Sequence, residues 1–468
     1  MTPRGPVPAG PTGPGPAGPS PDGPGRTEHP APGVARTVLP GGLRVVTEHV
    51  PGARSASVGL WLDVGSRDET LWNPAAHGAA HFLEHLLFKG TRRRTARRIA
   101  EEIDAVGGDL NAFTGKEHTC FYAHVLDRDM PLAVDVLCDV VLDAVMDAAD
   151  VELERDVVMS EIAGRDEDPE DLLADDFDAL LLEGHPLALP VIGTEESVTG
   201  MTRTVLADFH AAHYGPERAV LAVAGNVVHA EVLDAVVAGY GSRLSGPTGS
   251  WRRADGPGFG GLPATTGTDG GGGLGVRDED TEQAHVMLGV PSLRRGDPRW
   301  EAQLVLSTVL GGGMSSRLFQ QIREQRGLAY GVYSSTTGYA DLGSLAVYVG
   351  CAPERLGVAT GLLHSEIADL AARGVTEAEL RRAQGQLRGE LVLGLEETSA
   401  RMSRLGRREL DGGGPFDVEE SLARIDAVTG DQVAELATEL FAAPLTAAVV
   451  GPYADADELP DELREVSP

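Results

Sequence analysis

The chain is poor in several features, and each absence narrows its class. It holds 3 cysteines in 468 residues, Cys120, Cys138 and Cys351, with no CxxC pair. That is an odd number, and it argues against a disulfide scaffold or a cysteine-built structural zinc site. Each cysteine lies in an apolar segment, so buried, reduced thiols are expected, which suits a reducing cytoplasm. Lysine is nearly missing: Lys89 and Lys116 stand against a background of arginine. Genomic base composition accounts for this, and chance suffices to explain where the two lysines fall. Basic residues as a whole are scarce, 39 Lys and Arg against 71 Asp and Glu, for a formal charge of −32. Nucleic acid and anionic membrane, which demand clustered basic surface, are therefore not expected partners. The charge reads first as a highly charged, solvated surface, and second as an acidic cavity that draws in basic peptides. No apolar run approaches the roughly 18 residues of a membrane span, and the N-terminus lacks the hydrophobic stretch of a secretory signal.

Length and composition divide what is there. The chain is long enough for two domains, each with its own core. Residues 1–34 are rich in Pro, Gly and Ser and read as a disordered segment. A second Gly-rich stretch, SGPTGSWRRADGPGFGGLPATTGTDGGGGLG, makes residues 245–275 a linker between a domain at 35–244 and another at 276–456, with an acidic tail at 457–468. The two domains repeat an order of elements. Strand-like RVVTEHV and SASVGLWLDV precede HFLEH in the first, and QAHVMLGV precedes SRLFQQIREQR in the second. Each half then continues with strands and two long helices. Antiparallel strands with helices on one face predict an α+β sandwich in each half.

The run HFLEH, residues 81–85, carries the chemistry. On a helix, His81 and His85 are four residues apart and project from one face, where two imidazoles can bind one divalent ion. Glu84 stands beside them, placed to take a proton from water. A third ligand is available in ELERDVVMSEIAG. Val157, Val158 and Ile162 recur at helical spacing there, with Asp150 as a start signal and Gly164 as a stop. Glu154 and Glu161 lie two turns apart on that helix and face the same way. Two His and one Glu make the donor set of a catalytic rather than a structural zinc. His210 and His213 in FHAAHYG lack a third partner and read as structural, and His77, His118 and His124 are not needed.

GAAHFLEHLLFKGT (78–91), followed by Glu161 within ERDVVMSEI, resembles the pitrilysin (insulinase) family of zinc metallopeptidases. It is most similar to the short-chain branch that includes mitochondrial processing peptidase and its bacterial relatives. The similarity runs from about Ala35 to Pro452 and includes NAFTGKEHTCFYAHVL and LGGGMSSRLFQQIREQRGLAYGVYS. The resemblance implies two related α+β domains hinged as a clam-shell. One zinc ion per chain is then held by His81, His85 and Glu161, with Glu84 as general base and Glu154 as a supporting carboxylate. It further implies that Arg323 and Tyr330, from the half without metal, stabilise the oxyanion of the attacked carbonyl. Asn111, Ala112, Phe113 and Thr114 become an edge strand that pairs with substrate, and Gly311, Gly312 and Gly313 a loop that touches it. The implied function is a zinc metalloendopeptidase for unfolded or short peptides, acting as a homodimer in which one subunit's Arg/Tyr completes the other's site. A non-catalytic assembly subunit and a metal-dependent peptide-binding module are the alternatives. The intact HFLEH with Glu161 argues against the first, and Glu84, which is not a ligand, against the second.

Overall fold

The computed structural model describes residues 25–245, 272–413 and 417–464. The first half contributes β1 (Thr27–Ala31), β2 (Val34–Val38), β3 (Arg44–His49), β4 (Ser55–Leu62), α1 (Ser66–Trp72), α2 (Ala79–Leu87), α3 (Ala96–Asp104), β5 (Asp109–Thr114) and β6 (Thr119–Leu126). It continues through α4 (Met130–Asp143), α5 (Ala148–Asp166), α6 (Pro169–Leu181), α7 (Glu195–Gly200), α8 (Arg203–His213), β7 (Ala219–Gly225) and α9 (His229–Tyr240). The second half comprises β8 (Leu274–Asp278), β9 (Ala284–Ser292), α10 (Trp300–Gly311), a π-helical turn at Phe319–Glu324, β10 (Ala329–Gly338) and β11 (Gly343–Cys351). After these come α11 (Leu356–Arg373), α12 (Glu377–Gly394), α13 (Thr398–Leu410), α14 (Val418–Ala427), α15 (Gly430–Leu440), β12 (Thr446–Gly451) and α16 (Asp461–Arg464).

Seven strands form one sheet in the order β1-β2-β3-β7-β4-β6-β5, and five form another, β10-β11-β9-β12-β8. Without the β1–β2 addition the two orders are the same: β3-β7-β4-β6-β5 matches β8-β12-β9-β11-β10. The directions match as well. β3/β7 and β8/β12 are parallel, and the other pairings are antiparallel. The internal duplication expected from the sequence is thus written into the topology. One correspondence changes: α10, not the segment around SRLFQQ, takes the place of α2, each packing on a long helix, α12 or α5. Helix α10 is buried on nearly all sides, so it shows no polar face that would have revealed its period.

Strands β7 (AVLAVAG) and β12 (TAAVVG) are buried at every position, as strands covered on both faces must be. The layer on the second face comes from an exchange between the halves. Helix α6 of the first half lies on β9 and β12, placing Leu172, Leu173 and Phe177 against Met287, Ala346 and Val450. Helix α13 of the second half lies on β3, β4 and β7, placing Met402 and Leu405 against Trp61 and Ala222. Close approach demands small residues. A Cβ at Gly289 would stand 2.7 Å from Phe177 Cζ, and one at Gly406 would overlap the Trp61 indole.

Several boundaries differ from those read off the sequence. The segment 1–34 expected to be disordered includes β1, which pairs with β2 and carries a Thr27–Thr37 hydroxyl contact of 2.9 Å. Composition alone hid it, since a two-strand addition needs little apolar content. Residues 1–24 lie outside the described residues, as do 246–271 of the expected linker, whose last two positions already belong to β8. The acidic tail is in part structural, because Leu459 and Leu463 are buried in the second core. Helix α5 starts after Asp147, not Asp150, and runs past Gly164 to Asp166.

The helix exchange makes Gly406 intolerant of side chains. Gly406→Val should lower stability by about 1–3 kcal/mol or more through overpacking against Trp61. Gly164→Ala, on an open face of α5, should be neutral or raise stability by up to about 1 kcal/mol. Urea midpoints of the two variants would check the contrast.

Candidate metal centre and active site

Helix α2 has 9 residues, short for a helix without tertiary support. Two features hold it. Its apolar face, Phe82, Leu83, Leu86 and Leu87, is fully buried in the first core. Its N-terminus begins at Gly78, in a left-handed conformation (φ 90°) with no side-chain cap of its own. Glu69 from α1 supplies that cap: its carboxylate accepts the Gly78 and Ala80 N–H groups, each at 2.7 Å. Burial pushes the Glu69 carboxyl well above the usual range, and the two N–H donors oppose that. Sequence reasoning missed this residue. It lies outside the motif, and only the turn between α1 and α2 brings it to the helix end.

Along α5, Val151, Glu154, Val158 and Ile162 form the buried stripe, and Val157 is exposed. This stripe packs on α2, which sets Glu161 opposite both histidines. Glu161 Oε2 lies 3.7 Å from His81 Nε2 and 3.4 Å from His85 Nε2. Bonds of about 2.1 Å around a tetrahedral ion place neighbouring ligand atoms about 3.4 Å apart, so the three donors fit one zinc-sized ion. Among the described residues, His81, His85 and Glu161 are the one group of His, Cys, Asp and Glu side chains so clustered. Burial, and then the neighbouring His85, lower the His81 pKa to about 4. The ring is therefore neutral near pH 7, the form that can ligate a metal. The donor chemistry and spacing suit zinc.

Glu154 stands behind the ligands, 2% exposed, with one oxygen 3.6 Å from His85 Nδ1 and the other 2.5 Å from Lys89 Nζ. The carboxylate thus lies on the Nδ1 side of the imidazole, and His85 Nε2 faces Glu161. Lys89, one turn beyond His85, pairs with this buried acid. Glu84 is half-buried and accepts a 2.6 Å hydrogen bond from the Thr114 hydroxyl at the end of β5. Burial raises its pKa, and the Thr114 hydroxyl opposes the rise.

Comparison with known proteins agrees with this geometry. The family model described as Insulinase (Peptidase family M16) matches residues 44–195, and that described as Peptidase M16 inactive domain matches residues 200–387. A protein named as an uncharacterized zinc protease of Mycobacterium leprae is 55% identical over 434 residues, 92% of this chain and 95% of that protein. Another so named, from Bacillus subtilis, is 37% identical over 419 residues, 90% of this chain and 98% of the other. The chain belongs to the insulinase family of peptidases, M16. In shape it is similar to a protease from Helicobacter pylori, with a TM-score of 0.80 and 21% identity over 92% of this chain and 100% of that one. It is also similar to a peptidase M16 inactive domain from Pseudomonas fluorescens, with a TM-score of 0.78 and 20% identity over 90% of this chain and 98% of that one.

The other residues expected from the insulinase resemblance fall in three places. Strand β5 is the edge of its sheet, paired with β6 alone. The side chain of Asn111 accepts the Ala112 N–H at 2.8 Å, so one donor of that edge is occupied from within. Phe113 packs edge-on to Trp61 at 5.5 Å. Gly311 and Gly312 end α10 where backbone crowds in. A Cβ at Gly311 would overlap Ser334 N, and one at Gly312 would lie 2.5 Å from Thr308 Cα, while the Gly312 carbonyl accepts from Gln386 at 2.6 Å. Gly313 faces the Gln386 amide. Arg323 donates to the Tyr330 carbonyl at 2.9 Å and lies over the Tyr330 and Phe319 rings, 4.7 and 4.8 Å from their centroids. Tyr330 is 81% exposed. No hydrogen bond or ion pair among the described residues joins this pair to the ligand triad. In the second half Arg388, on α12, pairs with Asp426. Two of the other histidines have structural partners: His210 with Val141 O at 2.7 Å and His124 with Ser57 at 2.8 Å.

A depressed His81 pKa has a measurable consequence for the metal-free protein. As pH falls below about 6.5 the unfolded chain binds this proton first, while the folded chain resists until about pH 4. Stability is therefore highest above that interval and is lost through it. Urea midpoints of the metal-free wild type should fall more steeply between pH 7 and 4.5 than those of metal-free His81→Gln.

Proposed function

We propose that the protein is a zinc-dependent endopeptidase that cleaves unfolded or short peptides. The observation that carries this is the convergence of His81, His85 and Glu161, with Glu84 beside them and hydrogen-bonded to β5. Zinc held there would supply Lewis acidity toward water and the scissile carbonyl. The chain's own groups do the rest. Glu84 takes a proton from the attacking water and passes it to the departing amine. Its burial raises its affinity for the proton it takes from water. Glu154 and Lys89 keep His85 oriented, and Glu69 holds the helix that carries both ligands and base.

Substrate lies extended along β5, whose main-chain groups recognise any peptide backbone. Asn111 must first release the Ala112 N–H that its side chain occupies. From the second half, Gly313 is the loop glycine left to touch the same peptide, since Gly311 is buried and the Gly312 carbonyl already accepts from Gln386. A folded domain cannot present such a strand, which accounts for the preference for unfolded chains. The donors for the oxyanion are Arg323, half-buried, and Tyr330, exposed, joined to each other rather than to their own centre. We assign them to the site of a second copy, in a homodimer. Cys120, Cys138 and Cys351 are all buried and unpaired, which suits action in a reducing cytoplasm. No helix among the described residues is long and apolar enough to cross a membrane.

Glu84→Gln should keep stoichiometric zinc by elemental analysis and lose nearly all cleavage of a quenched peptide. Glu161→Gln should lose metal affinity; the reverse pattern would refute the assignments.

The shared site predicts complementation. Arg323→Ala and Glu84→Gln chains should each be nearly inactive alone. Mixed with subunit exchange, they should regain up to about a quarter of the wild-type rate, since one composite site then has every part. No recovery despite a heterodimer in native mass spectrometry would mean that the pair does not act across subunits.

A further inference from the structure

The turn after β5, residues 115–118, is held by both halves of the chain at once. Its Glu117, with a side chain 5% exposed, accepts Arg67 Nη1 at 2.5 Å from the first half. From the second half it accepts the Ala340 N–H at 3.1 Å and ion-pairs with Arg295. Arg67, also 5% exposed, donates to both oxygens of Asp341 at 3.1 and 2.6 Å, and Arg295 Nε lies 3.2 Å from Asp411. The turn's backbone is tied too: Ser66 N–H donates to Gly115 O and Arg67 N–H to Lys116 O, while Lys116 pairs with Asp178 on the exchanged helix α6. The residue immediately before this turn is Thr114, whose hydroxyl holds Glu84.

Buried ion pairs contribute little net stability, because desolvation offsets their attraction, and apolar packing would serve as well to join two halves. What such a network does supply is a fixed position. We propose that Arg67, Glu117, Arg295 and Asp341 form an ionic clamp through which the second half sets the position of Thr114 and hence of the Glu84 carboxylate. Proton transfer is then competent only when the two halves of one chain are docked. Glu117 and Arg295 are positioning residues, since neither touches substrate or the ligand triad. This inference rests on the peptidase reading for its effect on rate, but not for its effect on the turn.

Arg295 is the residue to vary, because its side chain is 32% exposed and its loss leaves Glu117 paired with Arg67. In zinc-loaded Arg295→Gln, kcat on a quenched peptide should fall about tenfold, the scale of loss from a slightly misplaced group, with KM nearly unchanged. Zinc content should stay at one per chain. Amide exchange should rise several-fold across 113–118 in both metal-free and loaded protein, and stay unchanged across 82–88. Arg295→Lys, which keeps one charged donor, should recover much of the rate, a recovery that mere packing would not produce. An unchanged kcat, or exchange that rises evenly through the first half or not at all, would overturn the clamp. If the wild type cleaves no peptide, the peptidase reading falls, and the exchange pattern alone then decides the clamp.

Discussion

The contact between α2 and α5 is the constraint on which the centre depends. Neither helix holds a complete donor set. The first carries two imidazoles and the Glu84 carboxylate, the second the Glu161 carboxylate and its buried neighbour Glu154. Apolar packing of Val158 and Ile162 against the face of α2 fixes their separation, and the 3.4 and 3.7 Å spacings follow from it. Because α2 is short, its place is fixed by what surrounds it: Glu69 at its N-terminus, the core beneath it, and Lys89 bridging to Glu154. Glu69 and Lys89 are buried or half-buried ionisable groups, each with a defined partner. The polar groups of this region thus orient ligands, while the apolar ones hold the helices together.

The same topology occurs twice in the chain and serves two ends. In the first half the helix between the second and third strands of the repeat bears two of the three candidate metal ligands. In the second half α10 takes that place, buried on nearly all sides and without histidine. The match of residues 200–387 to a model described as an inactive domain agrees with that loss. The second half nevertheless touches the first through more than a linker. Helices α6 and α13 are exchanged between the sheets, so each half completes the other's second layer. The exchange, with the ion pairs at Glu117, joins the halves beside the strand that ends at Thr114.

Much of this was legible in the residues. HFLEH dictates a shared face for His81 and His85 because a helix repeats every 3.6 residues, and the seven-residue interval from Glu154 to Glu161 does the same on its own helix. The α+β class, the two halves and their repetition followed from the order of apolar segments. Tertiary structure alone decided which side chains meet across the fold. Glu69 reaches α2 from another helix, Thr114 meets Glu84 across 30 residues, and Glu117 meets Arg295 across 178. No local period encodes such distances. The exchanged helices were invisible for the same reason, since an apolar stripe on α6 states that a face is buried but not which sheet buries it. Local geometry is a property of spacing along the chain; the pairing of distant charges and faces depends on how whole layers pack.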